Sequence, residues 1–479
     1  MLLLSRRAKI VATLGPASSN YEMIQKLILA GMNVARINMS HSTHEAQGIL
    51  IDTVRKAASD IETEVAILLD LQGPKIRVDK LETNLILHEN DEWVIGATSL
   101  MALFPEYKDK FIPTVYTNLV SDAHDKATIL FDDGLMEAVA TEKIIDKRGE
   151  LLKIKIITGG ILKSNKGINL PDVKVSAPSL TEKDEADLIF GLKKNVDFIA
   201  LSFVREASDI LHVKKILHKY KKDIPIISKI EKPEAITNFS EILDVTDLIM
   251  IARGDMGVEV GNHLVPGIQK KITKMSNERG VPVITATQML ESMIQNPRPT
   301  RAEATDVANA IWDGTDAVML SGETAAGKYP VEAIKFMSQL IAEAEKTPRE
   351  RIRVKDMEIK NTPAVLQVAA SLMGEHLKAK WIVSVTERGN SCLNLSRFRP
   401  TTPVLGVTNN QEVARRLAMY WGITPYYVMA ASRDISNLES HSIKKMRKDN
   451  LIKTGDRIII THGDGQYFMQ GTSNSLRFE

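Results

Sequence analysis

The chain is short of cysteine. A single thiol, Cys392, stands among 479 residues, so no intrachain disulfide can form, and a reducing, cytoplasmic setting is expected. Long apolar runs are missing too. None approaches the ~18 residues of a membrane span, and the opening MLLLSRR falls short of the roughly 7–15 apolar residues of a secretory core. No membrane partner is therefore expected. Neither sign of charge dominates, since 62 Lys+Arg face 60 Asp+Glu and leave +2. That balance argues against a dedicated polyanion binder, and so against nucleic acid as the partner. Low-complexity tracts and short repeats are absent. What is present is ordinary for a globular protein, with 44% apolar and 25% charged residues. The length suggests about three domains.

The order of segments predicts the architecture. KIVATLG (9–15), NVARINM (33–39) and VAILLD (65–70) read as buried strands with helices between them. This is a parallel-sheet signature. From about 75 to 170 no convincing helix appears, only short β-like runs broken by turn signals such as DDG and KRGE. A helix at 181–195 restarts the alternation. Strands then follow at 197–203, 225–230, 247–253, 282–287 and 317–322. Three strands before the insertion and five after it are the arithmetic of a (β/α)₈ TIM barrel. The β-rich insertion follows the third strand, on the face where such barrels keep their sites, so it can act as a lid. A charged stretch (345–363) reads as a linker to a smaller α/β domain with four strands. The expected division is 1–73 and 173–346 for the barrel, 74–172 for the lid and 347–479 for the last domain.

Six of the barrel strands end in polar groups. They are Arg36 with Asn38; Asp70; Lys229 with Glu231; Arg253, Gly254 and Asp255; Thr287; and Ser321 with Glu323. One such residue means little, but six coinciding strand ends mark a site. Lys229 and Glu231 alternate on a strand and so point the same way. They are either a structural ion pair at the rim or a phosphate-binding cation beside a metal-binding carboxylate. Asp255 offers a second carboxylate from the next strand, and two carboxylates with open positions suit Mg²⁺. No His/Cys cluster suggests zinc. Gly254 either lets a backbone N–H approach an oxyanion or is a plain turn glycine. His41, taken alone, reads as a surface or capping residue.

At these motifs the chain resembles the pyruvate kinase family over nearly its whole length. The matching segments include KIVATLGPAS, AGMNVARINMSHS, LDLQGPKIRV, SNKGINLP, ISKIEKPEA, IARGDMGVEV, ITATQMLESM and DAVMLSGETAAGKYP. The resemblance implies a barrel with a β lid and a C-terminal α/β domain, homotetramers, and transfer of the phosphoryl group of phosphoenolpyruvate to ADP, giving pyruvate and ATP. It implies Mg²⁺ as cofactor, with Mn²⁺ as a substitute. Arg36 would hold the transferring group, and Lys229 would stabilise its transition state. Glu231 and Asp255 would bind the metal. Gly254, Asp255 and Thr287 would position the substrate carboxylate. Asn38, Ser40, His41, Arg77 and Lys166 would contact the nucleotide phosphates. Thr287 and Ser321, with Glu323 nearby, would hold a water relay to protonate enolpyruvate. Two rivals share parts of this inventory: a Mg²⁺-dependent lyase or aldolase acting on pyruvate enolate, and a catalytically dead relative kept for binding. The first would not need the lid or Arg77, and the second would have lost Lys229, Glu231, Asp255 or Arg36.

Two departures from the family's common form carry expectations about regulation. Potassium-requiring members have DTKGPEIRT after the third strand, whereas this chain has Asp70-Leu71-Gln72-Gly73-Pro74-Lys75-Ile76-Arg77-Val78. Leu71 removes an oxygen ligand, and Lys75 reverses a charge and supplies an ammonium in potassium's place. Potassium is therefore expected not to be required, although Asn38, Ser40 and Asp70 remain from the monovalent-cation site. In the last domain TERGNS (386–391) joins a strand to a helix, a geometry suited to phosphate. In the family this loop binds phosphorylated activators. Thr386, Gly389 and Ser391 fit the usual pattern, whereas Arg388 and Asn390 replace a serine and an arginine. The expected effector is a sugar monophosphate or AMP.

Overall fold

A computed structural model describes residues 6–347 except His41 and Asp172, and residues 362–429, 435–462 and 475–478. His41, and 348–361 of the expected linker, lie outside the described residues.

Eight parallel strands close a barrel in sequence order: Lys9–Thr13, Val34–Asn38, Ala66–Asp70, Phe198–Leu201, Ile226–Ile230, Leu248–Ala252, Val283–Ala286 and Ala317–Leu320. Their residues are almost all buried. That is why they read as continuous apolar runs rather than alternating ones: both faces of such a sheet are covered. Helices such as Tyr21–Ala30, capped by the Asn20 side chain on the Met23 N–H, pack around the outside.

The insertion leaves after the third strand and returns at the helix Glu182–Lys193. Its main sheet has six strands, ordered Ile168–Asn169, Thr128–Phe131, Met136–Asp146, Gly149–Thr158, Glu92–Ala97 and Phe111–Thr114. The segment also holds two 3₁₀ turns and the short helix Leu119–Asp122, which its sequence did not announce. Both crossings of the chain are pinned by one carboxylate. Asp184, fully buried, forms a reciprocal cap with Thr181 and also accepts the Gly73 N–H at 3.0 Å. Gly73 is needed there. Its φ is +70°, and a Cβ would lie 2.8 Å from the Phe203 ring.

The last domain has four parallel strands, Ile423–Tyr427, Val404–Thr408, Trp381–Val385 and Ile458–His462, in that order. A fifth, Ser475–Phe478, adds antiparallel to the edge and was not foreseen. This sheet is tied to the barrel by buried polar contacts. Asp197, 1% exposed, takes Arg55 from the barrel at 2.7 Å and Arg415 from the last domain at 2.9 Å. Lys9 on the first barrel strand donates to the Ile423 carbonyl at 2.6 Å.

Candidate active site

The site grows from the C-terminal ends of the barrel strands. Arg36 places its Nε 2.7 Å from Asp70 Oδ2 and donates to Thr13 Oγ1 at 2.9 Å. Lys229 lies 3.3 Å from Asp70 Oδ1 and 3.1 Å from Glu231 Oε1, and it donates to Ser202 Oγ at 2.7 Å. Glu231 is fully buried. Its Oε2 accepts the Phe203 N–H at 2.7 Å, while its Oε1 faces the Lys229 ammonium without a well-aligned hydrogen bond.

These charges set one another. Burial alone would push the Lys229 ammonium down, but Asp70 and Glu231 outweigh it and hold it above the ordinary lysine range. Lys229 is thus a fixed cation rather than a proton donor. Burial would raise Asp70, yet Lys229 and Arg36 bring it below the usual carboxylate value. Glu231 is pushed up by burial, with Lys229 opposing and Asp255 adding to the rise.

The next three strand ends differ from the sequence reading in detail. Arg253-Gly254-Asp255 is the first turn of a helix, Arg253–Val260, rather than a loop turn. The Gly254 N–H donates to Thr287 Oγ1 at 2.8 Å, and Thr287 Oγ1 donates to the Ala286 carbonyl at 2.6 Å. A Cβ on Gly254 would make only ordinary contact with Thr287, so local crowding does not demand glycine there. Arg253 braces this loop, donating to the Thr287 carbonyl at 2.7 Å and pairing with Asp306 at 2.7 Å. Thr287 has φ +70° and Gln288 φ +54°, a strained backbone for a β-branched residue and its neighbour. Glu323 is fully buried and accepts the backbone N–H groups of Leu290 at 3.0 Å and Ser321 at 2.7 Å. It fixes the two loops that carry Thr287 and Ser321.

The remaining residues are spread over the second barrel strand, the lid and the last domain. Asn38 Oδ1 accepts the Ser40 N–H at 3.1 Å. Arg77 bridges to Gly167 and donates to the Asn165 carbonyl at 3.0 Å, and Lys166 pairs with Asp132 at 2.8 Å. Leu71 is buried. Lys75 does not point to solvent. Its ion-pair partners among the described residues are Asp255 at 3.0 Å and Asp133 at 3.4 Å, rather than Asp70. Burial lowers its pKa, but the two carboxylates prevail and raise it. In the last domain the Gly389 N–H donates to Thr386 Oγ1 at 2.9 Å, Gly389 has φ +94°, and the helix Asn390–Arg397, which includes Ser391, begins there with Arg388 and Asn390 exposed.

Two contributors went unread in the sequence. Thr13 and Ser202 close the first and fourth barrel strands, the two strand ends without a charged or catalytic-looking residue. The signal was positional, since every strand end faces the site, but a lone hydroxyl did not stand out.

The donor set fits Mg²⁺. Glu231 keeps a buried oxygen without a hydrogen bond, and the charge of Asp255 acts on Glu231. No group of three or more metal-ligating side chains occurs among the described residues. That suits a cation held by one or two carboxylates and completed by substrate oxygens and water.

Fixed cations beside carboxylates suited to a hard metal, at the mouth of a lidded barrel, can neutralise and align a phosphoryl group. That is the chemistry of a barrel phosphotransferase. The comparisons narrow it. A family model described as "Pyruvate kinase, barrel domain" matches residues 5–334, and one described as "Pyruvate kinase, alpha/beta domain" matches 364–478. Pyruvate kinase of Staphylococcus aureus strain USA300 is 45% identical over 480 residues, spanning 98% of this chain and 80% of the relative. The enzymes of strains NCTC 8325 / PS 47 and bovine RF122/ET3-1 give the same figures. The chain belongs to the pyruvate kinase family. It transfers the phosphoryl group of phosphoenolpyruvate to ADP, with the family's Mg²⁺ as cofactor. Among the described residues no helix is long and apolar enough to cross a membrane.

Proposed function

We propose that Arg36 and Lys229 grip the transferring phosphoryl group from two sides, with Asp70 holding both cations in place. The observation that carries this reading is the position of Lys229, 3.3 Å from Asp70 and 3.1 Å from Glu231, charged at every physiological pH. Phosphoryl transfer asks for alignment and charge neutralisation, and a permanent buried cation supplies both. Glu231 and Asp255 would hold Mg²⁺, which would supply charge neutralisation for the phosphoryl group. Gly254, Asp255 and Thr287 seat the substrate carboxylate at the start of the 253–260 helix, where backbone N–H groups favour an anion. Asn38, Ser40, His41, Arg77 and Lys166 meet the nucleotide phosphates. Protonation of enolpyruvate runs through ordered water near Thr287 and Ser321. The Thr287 hydroxyl is already shared between Gly254 and Ala286, and Lys229 is held too basic to give up its proton.

The working unit is a cytoplasmic homotetramer, with residues 74–172 as lid and 347–479 as regulatory domain. Thr386, Arg388, Gly389, Asn390 and Ser391 form the effector loop, taking a sugar monophosphate or AMP. Potassium is not required, because Lys75 brings its charge to Asp255. Replacing Lys229 by alanine should lower kcat by about 10²–10³ while the KM for phosphoenolpyruvate moves much less. A kcat within a few-fold of wild type would remove Lys229 from its role. Phosphoenolpyruvate saturation curves that no sugar monophosphate or AMP displaces would remove the effector loop.

A further inference from the structure

A second buried charge cluster lies beside the site and has no part in the roles above. Glu259 is 4% exposed and Asn169 5%. Glu259 Oε1 receives two donors, Asn169 Nδ2 at 2.8 Å and Lys232 Nζ at 2.8 Å. The three residues come from three different pieces of the enzyme. Asn169 ends the lid strand Ile168–Asn169, three residues after Lys166. Glu259 lies four residues after Asp255 on the helix Arg253–Val260, and so on the same face. Lys232 follows Glu231 directly.

The joint is polar where packing alone would favour apolar residues. A buried Glu–Lys pair gains little over well-packed hydrophobic side chains, because desolvation consumes most of the Coulomb energy. It is also left incomplete. Asn169 Oδ1 and Glu259 Oε2 are buried with no hydrogen-bond partner. A cavity of about 30 Å³, lined by Lys75, Asn169, Lys232 and Glu259 among others, adjoins them. That is room enough for a water. A contact built only for stability would close such a gap.

We propose that Asn169, Glu259 and Lys232 are positioning residues that set the lid in register with the metal-binding carboxylates. One carboxylate fixes the lid strand after Lys166, the helix that presents Asp255 and the loop that follows Glu231. The spacing between the nucleotide-binding cations and the metal is then decided by this joint. The inference rests on the reading of Glu231 and Asp255 as the Mg²⁺ ligands and of Lys166 as a nucleotide contact.

The test uses the full-length enzyme carrying Asn169→Ala, Asn169→Leu or Glu259→Gln, the leucine variant filling the space that alanine leaves. Losing one hydrogen bond at the joint should raise the KM for ADP about fivefold to tenfold in both Asn169 variants. The KM for phosphoenolpyruvate and the melting temperature should stay near wild type. Mn²⁺ binding to the substrate-free enzyme, read by electron paramagnetic resonance, should be unchanged in the Asn169 variants and weakened in Glu259→Gln. If both KM values rise together, if only the melting temperature falls, or if Glu259→Gln binds Mn²⁺ as wild type does, the proposal is overturned. Asp255→Asn serves as the reference. Retained Mn²⁺ binding there would instead sink the metal assignment, while the split between the two KM values would still judge the joint.

Discussion

Lys229 is held by three oxygens, and only two of them are charged. Asp70 and Glu231 keep the ammonium protonated, whereas the Ser202 hydroxyl, at 2.7 Å, directs it. Ser202 is itself fixed, donating to the Leu71 carbonyl at 2.7 Å. Its removal should separate aim from charge. Ser202→Ala leaves the cation and both carboxylates in place, so kcat should fall by about tenfold, the cost of one hydrogen bond that places a reacting group. That is less than the loss expected for Lys229→Ala. Steady-state kinetics on the two variants decide the matter, and a Ser202→Ala enzyme as slow as Lys229→Ala would mean that the hydroxyl does more than aim. The same electrostatics predict no loss of rate from Lys229 on the alkaline side. Its folded pKa lies above the ordinary lysine value, so it stays charged wherever the enzyme is assayed.

At the scale of elements, the barrel and the β-rich character of the lid were legible, and the lid's short helical pieces were not, for a physical reason. Barrel strands such as AILLD (66–70) are covered on both faces and carry a dense apolar signal. The lid's helical pieces are one or two turns long, too short to impose a 3.6-residue period. The helix Arg253–Val260 was hidden for another reason. RGDMGVEV has two glycines, which lower helix propensity and read as a turn. The helix forms because buried Met256, Gly257 and Glu259 pack it in place, and a Cβ on Gly257 would strike the Asn262 side chain at 2.2 Å. The candidate site was read from strand ends, which is why Thr13 and Ser202, whose strands end in a bare hydroxyl, were passed over. Lys75 lies where a strand leaves the barrel for the lid, and its direction could not be read from spacing. Its ammonium sits 3.0 Å from Asp255 and spans to Asp133 on the lid. The ammonium thus brings to the mouth of the site a fixed positive charge of the kind potassium would otherwise supply. Rates measured with Mg²⁺ at matched ionic strength, with and without potassium chloride, should therefore agree closely. Lys75→Glu should create a potassium requirement. Strong stimulation of the unaltered enzyme by potassium would defeat this account.

Across the whole molecule, the seam between barrel and last domain is held by buried charge, and that makes its stability depend on pH. Lys9 lies on the first barrel strand, 6% exposed, and its side-chain nitrogen donates across the seam to the Ile423 carbonyl at 2.6 Å. Burial, with Arg6 adding to it and Glu345 opposing, pushes its pKa down to about 7. An unfolded lysine titrates near 10.4. Between these values the unfolded chain carries a proton that the folded protein lacks, so stability must rise with pH through that window. The slope from one such group is at most about 1.4 kcal/mol per pH unit. Below pH 7 both states are protonated, and the folded protein bears the full cost of the buried ammonium. The neutral amine still donates to Ile423, so the docking contact survives the titration. Lys9→Met should flatten this dependence. Urea unfolding at pH 7, 8 and 9 should show the unaltered protein gaining stability with each step and the methionine variant gaining less. Parallel curves for the two proteins would mean that Lys9 keeps an ordinary pKa and that the seam is not sensitive to pH at this residue.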